Sequence, residues 1–324
     1  MSTPTPLEFA LPRPDIAAWR AGNTGVEGVW HFDSGQPGRQ VLISALIHGN
    51  ELCGAWALKG LLEAGLRPAR GALTLMFCNL AAFDRFDPAR HDAARFVEED
   101  MNRQWSDERL RNPTTLERRR AAALRPFVER ADWLLDLHSM HEPCAPLLLT
   151  GMQPRNLQLA RALRTPEHVV VDAGHKDGVR MRDFGRFGLP DEAAGDTRSL
   201  LLECGFHGDP ASRAVAQDMC LRFLQQAGAL DAALPGWRLP DAPRQWALAV
   251  EGAAVARSER FAFTEPFTGL EVFPQAGTVI GHHDGPGQGE AVTTPYDDCV
   301  LVMPSVRQAR NGVTVVRFAR RSAL

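Results

Sequence analysis

An α/β sheet with helices on both faces, followed by a small all-β domain, is the fold class this sequence predicts. Two observations carry that reading. From Val41 to Gly228, apolar strand-like runs alternate with helix-like runs, the order of a sheet covered by helices on both sides. From Pro235-Gly-Trp onward, Pro, Gly and short β-prone runs take over, the texture of a small all-β unit. A length of 324 residues also favours two domains or one large domain with an appendage. We divide the chain at 1–235 and 236–324.

Taken in order, residues 1–40 carry several Pro and Gly and read as an irregular or β entry. Val41–Ile47 is an apolar run that reads as a buried strand. The chain then turns at His48-Gly49-Asn50 and enters an Ala- and Leu-rich helix after Glu51. Leu73–Asn79 reads as a second strand, set off by Gly and Pro punctuation. Ala81 to Asp107 is polar and too long for a bare connector, and such loops are often functional. Thr114–Arg130 reads as a helix with a capping box of Thr114 and Glu117, its Arg118–Arg120 run forming a solvated face. Trp133–Leu137 is a third buried strand, ending at His138. Leu147–Thr150 is a fourth, Asn156–Arg164 a helix, and Val169–Val171 and Ser199–Glu203 are further strands. Ala211–Gly228 has the apolar spacing of an amphipathic helix.

In the C-terminal part, strands are expected at 246–250, 255–263, 277–280, 300–303 and 313–318. Gly277–Gly281 through Thr294–Cys299 resembles the hairpins of a barrel-sandwich (lipoyl-like) domain. Lys occurs only at 59 and 176, which excludes covalent biotin or lipoate at that turn. A structural lid over the site is the expectation that remains.

Composition narrows the function classes. Hydrophobic residues at 44% and charged residues at 23% are those of an ordinary soluble globular protein. A formal charge of −3 argues against a nucleic-acid surface. No apolar run is long enough for a membrane helix, and the Met-Ser-Thr-Pro-Thr-Pro start lacks the features of a signal peptide. The six cysteines are scattered without a CxxC. Buried thiols and a cytoplasmic location are therefore expected.

The chemistry gathers at strand ends. His48 and Glu51 stand where a central strand gives way to a helix, the usual place for a ligand in an open α/β sheet. One imidazole and one carboxylate are two of the ligand types of a catalytic zinc. His138, at the end of another buried strand, is the natural third, with His141 and Glu142 as neighbouring competitors. Two His and one carboxylate leave an open position for water, as in a hydrolase. Asp136 lies on the same strand face as His138 and can orient it from outside. Glu203 ends a buried strand, where desolvation raises a carboxyl pKa toward that of a general base; a solvent-facing Glu is the alternative. Arg95, Asn102 and Arg103 share one polar loop. Arg makes bidentate contacts to carboxylates, so the loop reads either as a substrate clamp or as a solvated charged segment.

Together, His48-Gly-Asn-Glu51, Asp100-Met-Asn102-Arg103, Asp136-Leu-His138 and Glu203-x-Gly205 resemble the aspartoacylase/succinylglutamate desuccinylase family. The resemblance covers nearly the whole chain in motif order. It implies a mixed-sheet, zinc-carboxypeptidase-like (phosphorylase/hydrolase-like) catalytic domain and a small C-terminal all-β domain. It implies one Zn2+ per chain on His48, Glu51 and His138, with Glu203 as general acid/base. Arg95 would polarise the scissile carbonyl, and Asn102 and Arg103 would hold a substrate carboxylate. For the family's acyl-side arginine the candidates are Arg198, Arg180 and Arg182, and Arg198 is assigned. The family's C-terminal tyrosine has no aligned counterpart, since the single Tyr296 falls elsewhere.

The expected function is a cytoplasmic zinc-dependent amidohydrolase acting on a small N-acyl amino acid, without nucleic-acid or membrane partners and with a homo-oligomer left open. The alternatives are a zinc carboxypeptidase acting on short peptides and a non-catalytic binding protein of the same fold.

Overall fold

The structure is a computed structural model that describes residues 8–174, 176–231, 236–307 and 309–324. The expected domain boundary at 235/236 falls beside residues 232–235, which lie outside the described residues.

The first half of the main sheet is built from β1 (Val29–Asp33), β2 (Gln40–Ala45), β3 (Ala72–Phe77), β4 (Trp133–Met140), β5 (Leu147–Leu149), β6 (His168–Val171) and β7 (Arg198–Phe206). The helices between them are α1 (Leu52–Glu63), α2 (Leu80–Phe83), α3 (Asp107–Arg111), α4 (Leu116–Arg130), α5 (Pro154–Leu163), α6 (Asp191–Ala194) and α7 (Ala211–Gln226). β8 (Trp246–Val255), β9 (Ala262–Phe263), β10 (Val272–Phe273), β11 (Val279–His282), β12 (Ala291–Thr293), β13 (Cys299–Val302) and β14 (Thr314–Ala323) complete the chain.

The large sheet has eleven strands in the order β1-β3-β2-β4-β7-β5-β6-β8-β14-β13-β10. β3, β2, β4 and β7 run parallel to one another, while β1 and β5 are antiparallel to their neighbours β3 and β7. The fold is thus mixed α/β. After β2 the chain moves to one side for β3 and then crosses to the other for β4. That reversal opens a crevice at the carboxyl ends of β2 and β4, where open sheets bind ligands. His48 and His138 sit there.

Every residue of β3 and β4 is buried, because helices cover both faces of the sheet. One face packs Leu58 and Leu61 of α1 and Phe223 of α7 against Ile43, Leu75 and Leu135. On the other, Leu124 and Val128 of α4 meet Leu42 and Leu134. Polar residues inside β4 therefore need partners, since burying an unpaired one is costly. Gly54 shows how tight the α1 face is. A Cβ there would come within 2.8 Å of Ala45 Cβ and 2.9 Å of Leu137 Cβ.

Several local expectations change. The 255–263 segment is divided between the end of β8 and the short β9. The 81–107 segment holds α2 and two 3-10 turns, Pro88–Ala94 and Met101–Arg103. The C-terminal strands mostly extend the main sheet, because β8 pairs in parallel with β6 and β14 pairs with β8. Only β12, β11 and β9 form a separate three-stranded sheet. All six cysteines are free thiols, five of them buried. No helix among the described residues is long and apolar enough to cross a membrane.

α4 starts one residue later than its capping box requires. Its N-cap is Thr115, whose hydroxyl accepts from Arg118 N. Glu117, fully buried, turns into the protein instead. Its carboxylate accepts the backbone N–H groups of Val97 (2.6 Å), Glu98 (3.1 Å) and Glu99 (3.3 Å), and the Asn79 amide at 3.2 Å. It thereby pins the loop that carries Arg95 to Arg103. The Arg118–Arg120 run is not simply a solvated face either. Arg118 holds Glu99 and Gln104, and Arg120 donates to the carbonyls of Phe77 and Cys78.

Glu117→Ala is therefore expected to cost about 3 to 5 kcal/mol of stability, since three part-buried backbone donors and the buried Asn79 amide lose their shared acceptor. Denaturant midpoints measure it; a loss below about 1 kcal/mol would mean that the loop holds itself.

Candidate metal centre and active site

His48, Glu51 and His138 converge. Their ligand atoms lie within 4.8 Å of one another, and all three side chains are buried. The local geometry explains the spacing. β2 ends at Ala45, and Leu46 takes a left-handed φ of 60° that turns the chain. A Cβ on Gly49 would lie 2.3 Å from the backbone of Ala82 and Phe83, so only glycine fits between His48 and α1. Glu51 occupies the N-cap position of α1 but makes no capping hydrogen bond. Its carboxylate is left to face the two imidazoles.

Both rings present Nδ1 to that carboxylate. His48 Nδ1 lies 2.7 Å from Glu51 Oε1 and His138 Nδ1 lies 2.8 Å from Glu51 Oε2. Their Nε2 atoms are taken by other carboxylates, His48 by Asp100 at 3.0 Å and His138 by Asp136 at 2.9 Å. Asp136 in turn accepts from Ser44 Oγ at 2.8 Å. An Nε2–H held by a carboxylate leaves the Nδ1 lone pair for a metal, the usual support of a metal-ligating His.

Glu51 Oε2 is a buried oxygen without a hydrogen-bond partner, despite its 2.8 Å approach to His138. A cation between the two rings and the carboxylate would satisfy that oxygen and both Nδ1 atoms. Although burial opposes it, the His48 and His138 rings hold Glu51 well below the usual carboxylate range, so the ligand is ionised. His, Glu, His is a donor set suited to a divalent transition metal.

Glu203 stands across from His138 on the neighbouring strand β7. It is 8% exposed and its Oε2 has no hydrogen-bond partner. Burial, reinforced by the Glu51 carboxylate, pushes its pKa up to about 8. It can exchange a proton near neutrality, as a general base or acid must.

Arg95 reaches the same space. Its Nη2 lies 3.0 Å from Asp100 Oδ2 and its Nη1 3.6 Å from Glu51 Oε1. Asn102 is buried with Oδ1 accepting from Met181 N at 2.9 Å, and its Nδ2 lies 3.3 Å from His138 Nε2. Arg103 donates to the Asn102 carbonyl and is 3.9 Å from Asp100.

A cavity of about 170 Å³ opens over these groups, lined by His48, Glu51, Arg95, Asn102, Arg103, His138 and Glu203. Its lining also includes Arg180 and Arg317 and the apolar Met140, Leu149, Leu201 and Met303. Arg180 pairs with Asp183 at 2.6 Å and Arg317 with Asp172 at 3.2 Å.

Arg198 does not belong to this group. It opens β7, at the end of the strand away from Glu203, and its partners are Thr197 O and Asp196. The separation is roughly 16 Å along an extended strand. Arg182 is fully buried and holds Thr150 O and Ser199, leaving Arg180 as the one of the three candidates in the cavity. Tyr296 lies beneath the Arg320 guanidinium, 3.9 Å from its ring centre, and does not line the cavity. The C-terminal region reaches the cavity through Met303 and Arg317 rather than through the 277–299 hairpins.

His141 and Glu142 are not part of the metal group. Sequence reasoning missed the roles of Asp100, Glu117 and Arg317. Asp100 was visible within its motif; Glu117 gave only the signal of a helix cap, and Arg317 gave none.

Residues 37–188 match the family model described as the succinylglutamate desuccinylase/aspartoacylase catalytic domain. No curated protein matches the chain by sequence. Among solved structures, a succinylglutamate desuccinylase/aspartoacylase family protein of Shewanella amazonensis SB2B is 18% identical. The match covers 94% of this chain and 98% of that one, with a TM-score of 0.64. The succinylglutamate desuccinylase of Chromobacterium violaceum is 19% identical over 92% of this chain and 89% of its own, with a TM-score of 0.64. The product-bound ectoine utilization protein EutE (DoeB) of Ruegeria pomeroyi is 17% identical over 88% and 86%, with a TM-score of 0.61. At these identities the likeness to solved structures is one of fold.

Proposed function

We propose, from the match of residues 37–188 to the succinylglutamate desuccinylase/aspartoacylase catalytic domain, that this protein is a zinc-dependent hydrolase of small N-acyl amino acids. The observation that carries the reading is the pair of Nδ1 atoms converging on Glu51, with an unpartnered Glu203 carboxyl across from them. His48, Glu51 and His138 would hold the zinc. Bound there, it would supply Lewis acidity and lower the pKa of a water molecule.

The chain's own groups do the rest. Glu203 takes a proton from the attacking water and returns it to the leaving nitrogen. Arg95, fixed by Asp100, donates N–H bonds to the carbonyl oxygen as negative charge develops there, where a preorganised donor is most effective. Arg103 faces the substrate carboxylate, and Asn102 keeps the turn that presents Arg103. We assign the second anionic contact to Arg180 in place of Arg198. The division at 1–235 and 236–324 and the zinc-carboxypeptidase-like architecture belong to the same reading, as does a cytoplasmic location, which the free thiols support.

A substrate panel tests the function. N-acetyl and N-succinyl amino acids and C-terminal dipeptides are offered to the zinc-loaded protein, and amine release is followed. Turnover of one N-acyl amino acid at least about tenfold above every peptide is expected, because the cavity that Met303 and Arg317 help to line holds about 170 Å³, which favours a small substrate. Preference for the peptides would make the protein a carboxypeptidase. No turnover of either class, with zinc bound, would make it a binding protein.

A further inference from the structure

His141 lies just beyond β4, three positions after His138, and takes no part in the metal group. Its ring bridges two other residues. Nδ1 is 3.0 Å from Asp92 Oδ1, and Nε2 is 3.2 Å from Arg95 Nη1. A guanidinium can only donate and an ionised carboxylate can only accept. The ring between them must therefore carry its proton on Nδ1 and its lone pair on Nε2. His141 and Asp100 thus hold the two terminal nitrogens of Arg95, at 3.2 Å and 3.0 Å. Two fixed points set the plane of a guanidinium.

The bridge is itself braced. Asp92 Oδ2 lies 3.3 Å from Arg307 Nη1, and Arg307 Nε donates to Glu142 at 2.7 Å. His207 packs edge-on against His141 at 4.7 Å and is tied by its own Nδ1 to Ser139 Oγ at 2.8 Å. Burial, with Arg95 alongside and Asp92 opposing, lowers the His141 pKa, in keeping with a neutral ring. A neutral acceptor also differs from a carboxylate in what it does to Arg95: it orients the guanidinium without cancelling its charge.

We propose that His141, held by Asp92 as its Nδ1–H tautomer, is a positioning residue that aims Arg95 into the cavity. The proposal rests on the reading of Arg95 as the group that polarises the scissile carbonyl.

The test compares His141→Ala with His141→Gln in the zinc-loaded protein and adds a readout that needs no turnover. Glutamine can offer Oε1 to Arg95 and Nε2–H to Asp92. His141→Ala should lower kcat about 10- to 100-fold, the scale of a misplaced catalytic group, with KM within about twofold and zinc content unchanged. His141→Gln should recover most of that loss. A KM rise at unchanged kcat, or equal losses in both variants, would overturn the proposal.

Separately, a long-range proton–nitrogen spectrum of the imidazoles, with His141 assigned by its disappearance in His141→Gln, should show a neutral Nδ1–H ring at pH 7. An Nε2–H ring or an imidazolium overturns the proposal whatever the activity. If the wild type hydrolyses no N-acyl amino acid, the functional reading fails, and the tautomer alone decides the assignment of His141.

Discussion

Glu203→Gln should lower kcat by about 100- to 10,000-fold, the usual contribution of a positioned general base, while zinc content and fold stay those of the wild type. The argument is one of charge and position. Glutamine keeps the volume of Glu203 and its place on β7 opposite His138, so the cavity is not reshaped. What disappears is a carboxyl that burial and Glu51 have pushed up to about 8, and with it a site that can take a proton and return it. The contacts proposed for Arg103 and Arg180 would be untouched, so KM should change little, and the loss should fall on kcat. Steady-state kinetics on the best substrate of the panel, with metal analysis of the same sample, measures it. A fall of less than about tenfold would remove Glu203 from the proton path and leave another group to carry it.

Much of this site is legible in the amino-acid sequence, because each of its central groups follows from a local rule. His48, Glu51, His138 and Glu203 all stand where an apolar run stops. The end of a buried parallel strand is also where an open sheet binds ligands. Asp136 is legible for the same reason, being two residues from His138 on one strand face. Other features depend on contacts distant in sequence. Glu117 has the spacing of a helix cap, and only the folded 97–99 loop, whose N–H groups it accepts, shows it to be an internal anchor.

The continuation of the main sheet through β6 and β8 is a pairing of Val169 with Ala247, which no periodicity within either strand specifies. Arg317 reaches the cavity from β14 through that same pairing. Arg198 is a different kind of error. It precedes Glu203 on one strand by roughly 16 Å of extended chain, so residue counting alone sends it to the other end of the sheet. Arg180 follows no strand end and carries no signal of its own.

His138→Ala should weaken zinc binding by more than about a hundredfold, and Asp136→Asn by about 10- to 100-fold, the range for losing an outer partner of a metal-ligating His. The order follows from what each residue does. His138 provides one of three donor atoms lying within 4.8 Å of one another, and its removal leaves His48 and Glu51 as a two-donor site. Asp136 touches the ring only at Nε2, at 2.9 Å, where it fixes which nitrogen carries the proton and adds to the basicity of the other. Asparagine can still accept from that N–H, so orientation largely survives and the charge is lost.

Competition with a chromophoric chelator, read against the zinc content of the dialysed proteins, gives both affinities. Activity at saturating zinc should return in Asp136→Asn and stay absent in His138→Ala. Were His138→Ala to bind zinc as tightly as the wild type, the metal would have to sit elsewhere. His141, held 3.0 Å from Asp92, would then be released from its task at Arg95 and become the first ligand to examine. The two assignments of His141 are therefore exclusive, and the affinity of a single His138 variant separates them.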